Sequence, residues 1–195
     1  LMKAAFRGHT DAIEALLARF ERKRTDPAGA QHSTIGPLDV APAVGLVPEP
    51  LSSRLRAFAE TEDRLVLEEL RKQHGRPDGG WAFRPTWEAG YSSGVTADWA
   101  MFALARHEQS GKEEFREIVL AVADAYADSL PEEDVDVWPM SLAHVISAQV
   151  AAYRFTRRPV YLEQACRFAG MSVRCFWQDR PLPRASFKTD HYETI

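Results

Sequence analysis

Cysteine is scarce in this chain: two residues in 195, too few for a disulfide framework. Cys166 and Cys175 fall on one expected helix, about 180° around it and some ~13 Å along it, so they cannot bridge each other. With no second pair to complete a ligand set, both are expected in the core, and no metal or other cofactor is expected. An excess of positive charge is also missing. Lys and Arg number 24 against 28 Asp and Glu, a net charge of −4, which excludes the broad basic face that nucleic acid requires. No apolar run approaches the ~20 residues that cross a bilayer, and no signal peptide is visible. The chain opens on Leu1 without an initiator methionine and stops at Ile195 inside a patterned segment, so it is expected to be a piece of something longer.

What is present is a repeat. Thr96-Ala97-Asp98-Trp99 aligns with Leu142-Ala143-His144-Val145, and the register holds downstream: Ala105 on Ala151, Phe115 on Tyr161, Val119 on Ala165, Ala123 on Ala169, Leu130 on Phe176. A constant step of 46 residues marks stacked supersecondary units, none of which can bury its apolar face alone. Within each copy the two helices differ. Ala97 to Ala105 and Met140 to Phe155 are apolar nearly all round, which predicts burial on every side, with Trp99 in the core. Phe115, Ile118, Val119, Val122, Tyr126 and Leu130 form a stripe at three- and four-residue steps, with Glu113, Glu114, Arg116, Glu117, Asp124 and Asp128 between them. Tyr161, Ala165, Phe168, Ala169 and Phe176 repeat that stripe, and Trp177 is expected to join the core. An inner buried helix followed by an outer half-wet one, twice, predicts an all-α fold of antiparallel helical hairpins from an incomplete α/α toroid. At this period six hairpins would need roughly twice the length at hand.

Start and stop signals agree with these limits. Ser110-Gly111 ends the first inner helix, and Glu113-Glu114 place acids in the first turn of the next. Pro139 and Pro159 sit where a first helical turn tolerates a residue without an N–H.

The beginning of the chain is different. Ala4-Ala5, the Gly8-His9 turn, then Ile13, Leu16 and Leu17 resemble the body of a single ankyrin repeat over about twenty residues. That resemblance implies a helical pair at 1–24 able to meet a protein partner; a short helical pair with small residues at its turn reads equally well. Residues 25–50, with Pro27, Pro37, Pro42, Pro48 and Pro50 among glycines, read as a linker, extended over the surface or disordered. Helix resumes from Leu51 to about His74, expected as the outer helix of a preceding hairpin, so that 51–195 forms the partial toroid.

Gly75 to Gly94 is the one long loop inside the repeat region, and long loops in compact helical proteins are more often functional than not. Trp81 and Phe83 are expected to plug the core. The run Gln73-His74-Gly75-Arg76-Pro77-Asp78-Gly79-Gly80-Trp81 resembles the repeat element of prenyltransferases and squalene-type cyclases, which are α/α toroids. The cyclases' Asp-x-Asp-Asp acid has no counterpart here; the nearest run is Asp134-Val135-Asp136-Val137, in an expected turn. Trp138-Pro139-Met140 leading an inner helix, with Pro159-x-Tyr161-Leu162-x-x-Ala165-x-x-Phe168-Ala169, resembles the six-hairpin carbohydrate-active enzymes, which include glycoside hydrolases, epimerases and polysaccharide lyases.

The repeat singles out a site. Asp98 and His144 are equivalent positions near the starts of inner helices, and one further step reaches Asp190, inside Lys188-Thr189-Asp190-His191-Tyr192-Glu193. In a toroid such positions ring one mouth of the cavity. Asp98, His144, Asp190 and His191 are therefore the candidate catalytic groups, for proton transfer. Trp87, Glu88, Tyr91, Trp138, Arg184, Lys188 and Tyr192 are the candidate substrate-binding groups. Structural roles compete: an acid in a helix's first turn is favoured by the dipole, and a single His on an apolar helix is commonly a hydrogen-bonded core residue.

Three function classes follow. The first is a carbohydrate-active enzyme, a glycoside hydrolase or polysaccharide lyase, on an acidic or neutral glycan or another small molecule. A hydrolase would draw two carboxylates from Glu88, Asp98 and Asp190, ~5 Å or ~6.5–9.5 Å apart. A uronate lyase would use Arg184 or Lys188 against the sugar carboxylate and His144, His191 or Tyr192 as base. The second is a terpene-cyclase-like or prenyltransferase-like toroid, with a cavity of aromatics and a single acid. The third is a non-catalytic helical-repeat scaffold.

Overall fold

The computed structural model describes residues 7–25, 40–88, 95–177 and 183–189. Over these residues the protein is all-helical, and the chain divides into two compact units, Leu1–Gln73 and His74–Ile195. Tyr91, Asp190, His191 and Tyr192 lie outside the described residues.

The first unit is built on helices α1 (Thr10–Thr25) and α2 (Leu51–His74), with a 3₁₀ turn, Ala41–Leu46, between them. Ile13, Leu17 and Phe20 recur at helical spacing and meet Leu51, Leu55, Phe58 and Ala59 of α2 in one buried cluster. The rings of Phe20 and Phe58 are 6.2 Å apart. On the rim, Arg54 spans Glu14 and Glu21 at 3.0 Å each. The linker expectation fails for the end of that segment: Val40, Ala43 and Val47 are buried in the same cluster. The reason is local. Val40 to Val47 is apolar throughout, and Pro42 fits the first turn of a 3₁₀ helix, where no N–H is required. On α2 it is Leu51, Leu55, Phe58 and Ala59 that pack in this cluster with α1.

The second unit contains the repeat: α3 (Ala97–Ser110), α4 (Glu113–Ala127), α5 (Pro139–Thr156) and α6 (Pro159–Ser172), with a π-helical extension, Val173–Trp177. Helix α3 pairs with α4 and α5 with α6, while α5 touches both helices of the first hairpin. The sequence step reappears in the backbone. Gly111 and Arg157, one step apart, both take left-handed conformations at φ 70 and φ 58. Their N–H groups donate to His107 and Tyr153, also one step apart, each at 2.8 Å. The residue before each turn carries a hydroxyl that bonds back one helical turn: Ser110 to the Arg106 carbonyl at 2.6 Å and Thr156 to that of Ala152 at 2.8 Å. The same hydroxyls accept from the N–H of Lys112 and of Arg158, both at 3.3 Å. The two hairpin turns are thus one motif built twice.

The core forms where the stripes required it. Phe115, Ile118, Val119, Val122, Ala123 and Tyr126 of α4 are fully buried, and Tyr161, Ala165 and Phe168 of α6 follow. Leu130 is exposed because α4 ends at Ala127 and its position leaves the helical register, whereas Phe176 remains in a helical turn and is buried. The expectation of all-round burial for α3 and α5 is also corrected. Ala97, Ala100, Ala103 and Arg106 form the buried edge of α3, but Trp99, Met140 and Val150 are open to solvent. Each helix has neighbours on only part of its circumference, so apolarity is not matched by cover. Trp177 and Cys166, expected in the core, are also exposed, and both cysteines are free.

Left-handed backbone costs a residue with a Cβ ~1 kcal/mol or more, and glycine almost nothing. Gly111→Ala is expected to lower the unfolding free energy by ~1 kcal/mol. Arg157→Gly is expected to raise it by ~0.5 kcal/mol, the relief being partly offset by loss of the guanidinium's contact with the Tyr153 ring. Urea unfolding followed by far-UV circular dichroism measures both.

Candidate functional site

Stacking of the hairpins brings the two equivalent positions into contact. His144 Nδ1 lies 2.6 Å from Asp98 Oδ1, across 46 residues of chain. Asp98 sits in the first turn of α3, where the helix N-terminus favours an acid, and its own N–H bonds the Val95 carbonyl at 2.9 Å. His144 is carried to it by α5. Because an ionised carboxylate can only accept, the imidazole donates from Nδ1 in this contact. The side chains are 43% and 28% exposed, so the pair is reachable from solvent.

Asp98 also lines a half-open cleft of about 410 Å³ with Val95, Trp99 and Phe102. Trp99 stands edge-on to Phe102 at 6.2 Å, and Phe102 edge-on to the buried Phe115 at 5.9 Å, so a column of rings leads from the cleft into the core. Trp99 was expected in the core rather than at a site, and Phe102 was not singled out. The available signal was spacing: Phe102 lies four residues beyond Asp98 and three beyond Trp99, the steps that group side chains on one side of a helix.

The other candidates are placed differently. Trp87 is buried, its N–H on Ser129 Oγ at 3.0 Å and its ring against Tyr126 at 4.9 Å and Phe168 at 5.6 Å. It plugs the core, as Trp81 and Phe83 do. The loop around it is sewn down by Thr96, whose N–H and hydroxyl bond Thr86 Oγ1 and the Arg84 carbonyl at 2.8 and 2.7 Å. Glu88 is exposed, and Trp138, just before α5, is exposed with its ring open. Lys188 does not join the cleft: its N–H bonds Asp136 Oδ1 at 2.9 Å and its ammonium the Asp134 carbonyl. The Arg184 N–H bonds the Phe176 carbonyl at 2.9 Å. The 183–189 segment is thereby strapped to the turn before α5, with Ser186 Oγ on Asp136 Oδ2 at 3.0 Å.

A second open cleft, about 430 Å³, lies between the Asp78–Trp81 turn and the outer face of α4, lined by Glu117, Leu120, Ala121 and Asp124. Gly79 at φ 85 and the Asp78 carboxylate, which accepts from the Gly80 N–H at 3.0 Å, shape that turn. At its edge the Tyr161 hydroxyl donates to Asp124 Oδ1 at 2.7 Å. Among the described residues no group of three or more His, Cys, Asp and Glu side chains could hold a metal ion. No described helix is long and apolar enough to cross a membrane.

No family model, no curated protein and no solved structure matches this chain.

Burial, and then the neighbouring Asp124 carboxylate, push the Tyr161 phenol up to about 12 from an ordinary 10.0. The folded state therefore holds this proton more tightly than the unfolded chain does. The resulting stabilisation is fully present below pH 10.0 and is lost as pH rises through about 12. Unfolding free energies measured from pH 9 upward should fall less steeply in Tyr161→Phe than in the parent chain; equal slopes would contradict the assigned bond.

Proposed function

We propose that the protein is a carbohydrate-active enzyme in which Asp98 and His144 form a proton-transfer pair, with elimination from a uronate-containing glycan the reaction class that fits best. The observation that carries this reading is the 2.6 Å contact between the carboxylate and the imidazole beside an aromatic cleft. Asp98 orients the ring and supports positive charge on it, so that Nε2 can take a proton from a carbon acid. The edges and faces of Trp99 and Phe102 offer the apolar surface on which a pyranose ring stacks. One carboxylate committed to an imidazole suits proton abstraction better than hydrolysis, which needs two carboxylates flanking the glycosidic bond. The toroidal architecture is part of this proposal, since it supplies the further hairpins that would close a cavity around the pair.

The same cleft supports a second reading. A single carboxylate that lines a cleft with an indole and a phenyl ring is also what an acid that protonates an alkene would require, as in a terpene-cyclase-like toroid.

Screening against acidic glycans, neutral glycans and a linear polyprenyl substrate separates the classes. Release of unsaturated uronate product is the expected positive result. His144→Ala and Asp98→Asn should each lower its rate by ~10²–10⁴. Turnover unchanged in both variants would remove the pair from the mechanism, and turnover of the polyprenyl substrate alone would favour the second reading.

A further inference from the structure

The place of Asp98 is set from outside its own helix. Of the four buried residues of α3, three are alanines: Ala97, Ala100 and Ala103. A methyl group makes few contacts, so these residues seat the helix while fixing its rotation only weakly. Hydrogen bonds at the start of α3 supply what the alanines do not. Thr96 stands just before the first helical residue, where a hydroxyl ordinarily accepts an N–H from the first turn. It makes no such bond. The Asp98 N–H goes to the Val95 carbonyl at 2.9 Å, and that of Trp99 to the Thr96 carbonyl at 3.1 Å. The Thr96 hydroxyl instead leaves the helix and donates to the Arg84 carbonyl at 2.7 Å. With its single proton committed there, it accepts in its 3.0 Å contact with the Thr86 hydroxyl. Thr86 Oγ1 in turn accepts the Thr96 N–H at 2.8 Å. The backbone of Thr86 is held by α4: its N–H donates to the Tyr126 hydroxyl at 3.2 Å, and that hydroxyl donates to its carbonyl. Tyr126 is fully buried. One loop residue thus ties a fixed point of the core to the start of α3, two residues before Asp98.

We propose that Thr86 is a positioning residue: its hydroxyl, held through Tyr126, sets where the first turn of α3 carries Asp98, and so whether the carboxylate reaches His144. The geometry of the inference stands on the 2.6 Å contact of the pair; its meaning for catalysis rests on the proton-transfer reading given above. Neither Thr86 nor Tyr126 lines the cleft, so both act on the pair at a distance. A displacement of about 1 Å takes a contact of this length past hydrogen-bonding distance. A misplacement of that size can also cost a reaction about 10²-fold. The hydroxyl of Thr96 is spent on the loop and not on its own helix, which is the arrangement expected where the loop governs the helix start.

Three variants of the full chain test this. Thr86→Val keeps the β-branched shape and removes the hydroxyl, Thr86→Ser keeps the hydroxyl, and Tyr126→Phe keeps the buried ring while cutting the link to α4. Circular dichroism checks that helicity is retained, and NMR follows exchange of the His144 Nδ1 proton with solvent. Exchange should be about tenfold faster in Thr86→Val and in Tyr126→Phe, and close to the parent rate in Thr86→Ser. The double variant Thr86→Val/Tyr126→Phe should be no faster than either single one, because both cut the same chain of bonds. A loop that only adds stability would lower the urea midpoint of Thr86→Val and leave the His144 proton unchanged, and that result overturns the proposal. So does failure of Thr86→Ser to recover the parent rate. Should Tyr126→Phe lose helicity, the two variants at the exposed Thr86 decide alone. The NMR measurement needs no substrate: a parent chain that turns over no glycan strikes the enzyme reading, whereas an unmoved His144 proton strikes this one.

Discussion

The second unit depends on the seating of one helical hairpin against its own repeat. Gln149, fully buried on α5, donates to the Ala123 carbonyl, Tyr161 donates to Asp124, and His144 meets Asp98. These polar contacts are directional, whereas the alanines and β-branched residues between them pack with little orientational preference. A buried polar group costs a few kcal/mol when left unpaired, so the contacts of buried Gln149 and Tyr161 penalise a shift of the stack by even one residue. The apolar stripes supply the drive to associate, and the hydrogen bonds supply the register. The candidate site is a by-product of that register: equivalent residues at the starts of two first helices face each other because the hairpins superpose in sequence and in space.

The register in turn requires identical turns. A left-handed residue after α3 and after α5, each preceded by a hydroxyl bonded back into its helix, reverses the chain through the same geometry both times. Glycine supplies this in the first hairpin at no steric cost, while Arg157 supplies it at a cost that its contact with Tyr153 offsets in part. The second turn therefore accepts strain to keep the repeat in phase.

Much of this was legible in the residues. The 46-residue step, the α4 and α6 stripes, the Pro139 and Pro159 starts and the Gly111 stop are all set by short-range chemistry, and the helices follow them closely. The repeat step made Asp98 and His144 equivalent positions, and the stacking of the hairpins brings the two into contact. What sequence could not supply was cover. Trp87 reads equally well as a binding ring or a plug, and its burial is decided by Tyr126 and Phe168, far along the chain. Trp99 was expected in the core because its helix is apolar, and Cys166 and Trp177 because of their residue type, yet neither signal counts neighbours. Val40 to Val47 erred in the opposite direction: proline and glycine argued for a linker, while the apolar residues among them found α1 and α2 to pack on. Lys188 was a plausible cation for a substrate carboxylate, but its use as a strap depends on Asp134 and Asp136, which only the folded chain brings alongside.

The central claim is that equivalent positions of the two copies touch. Long-range ¹H–¹⁵N NMR of the His144 imidazole tests it most directly. A proton held on Nδ1, shifted downfield and lost in Asp98→Asn, is the predicted result. An imidazole carrying its proton on Nε2 and indifferent to that substitution would show that the hairpins do not stack in this register.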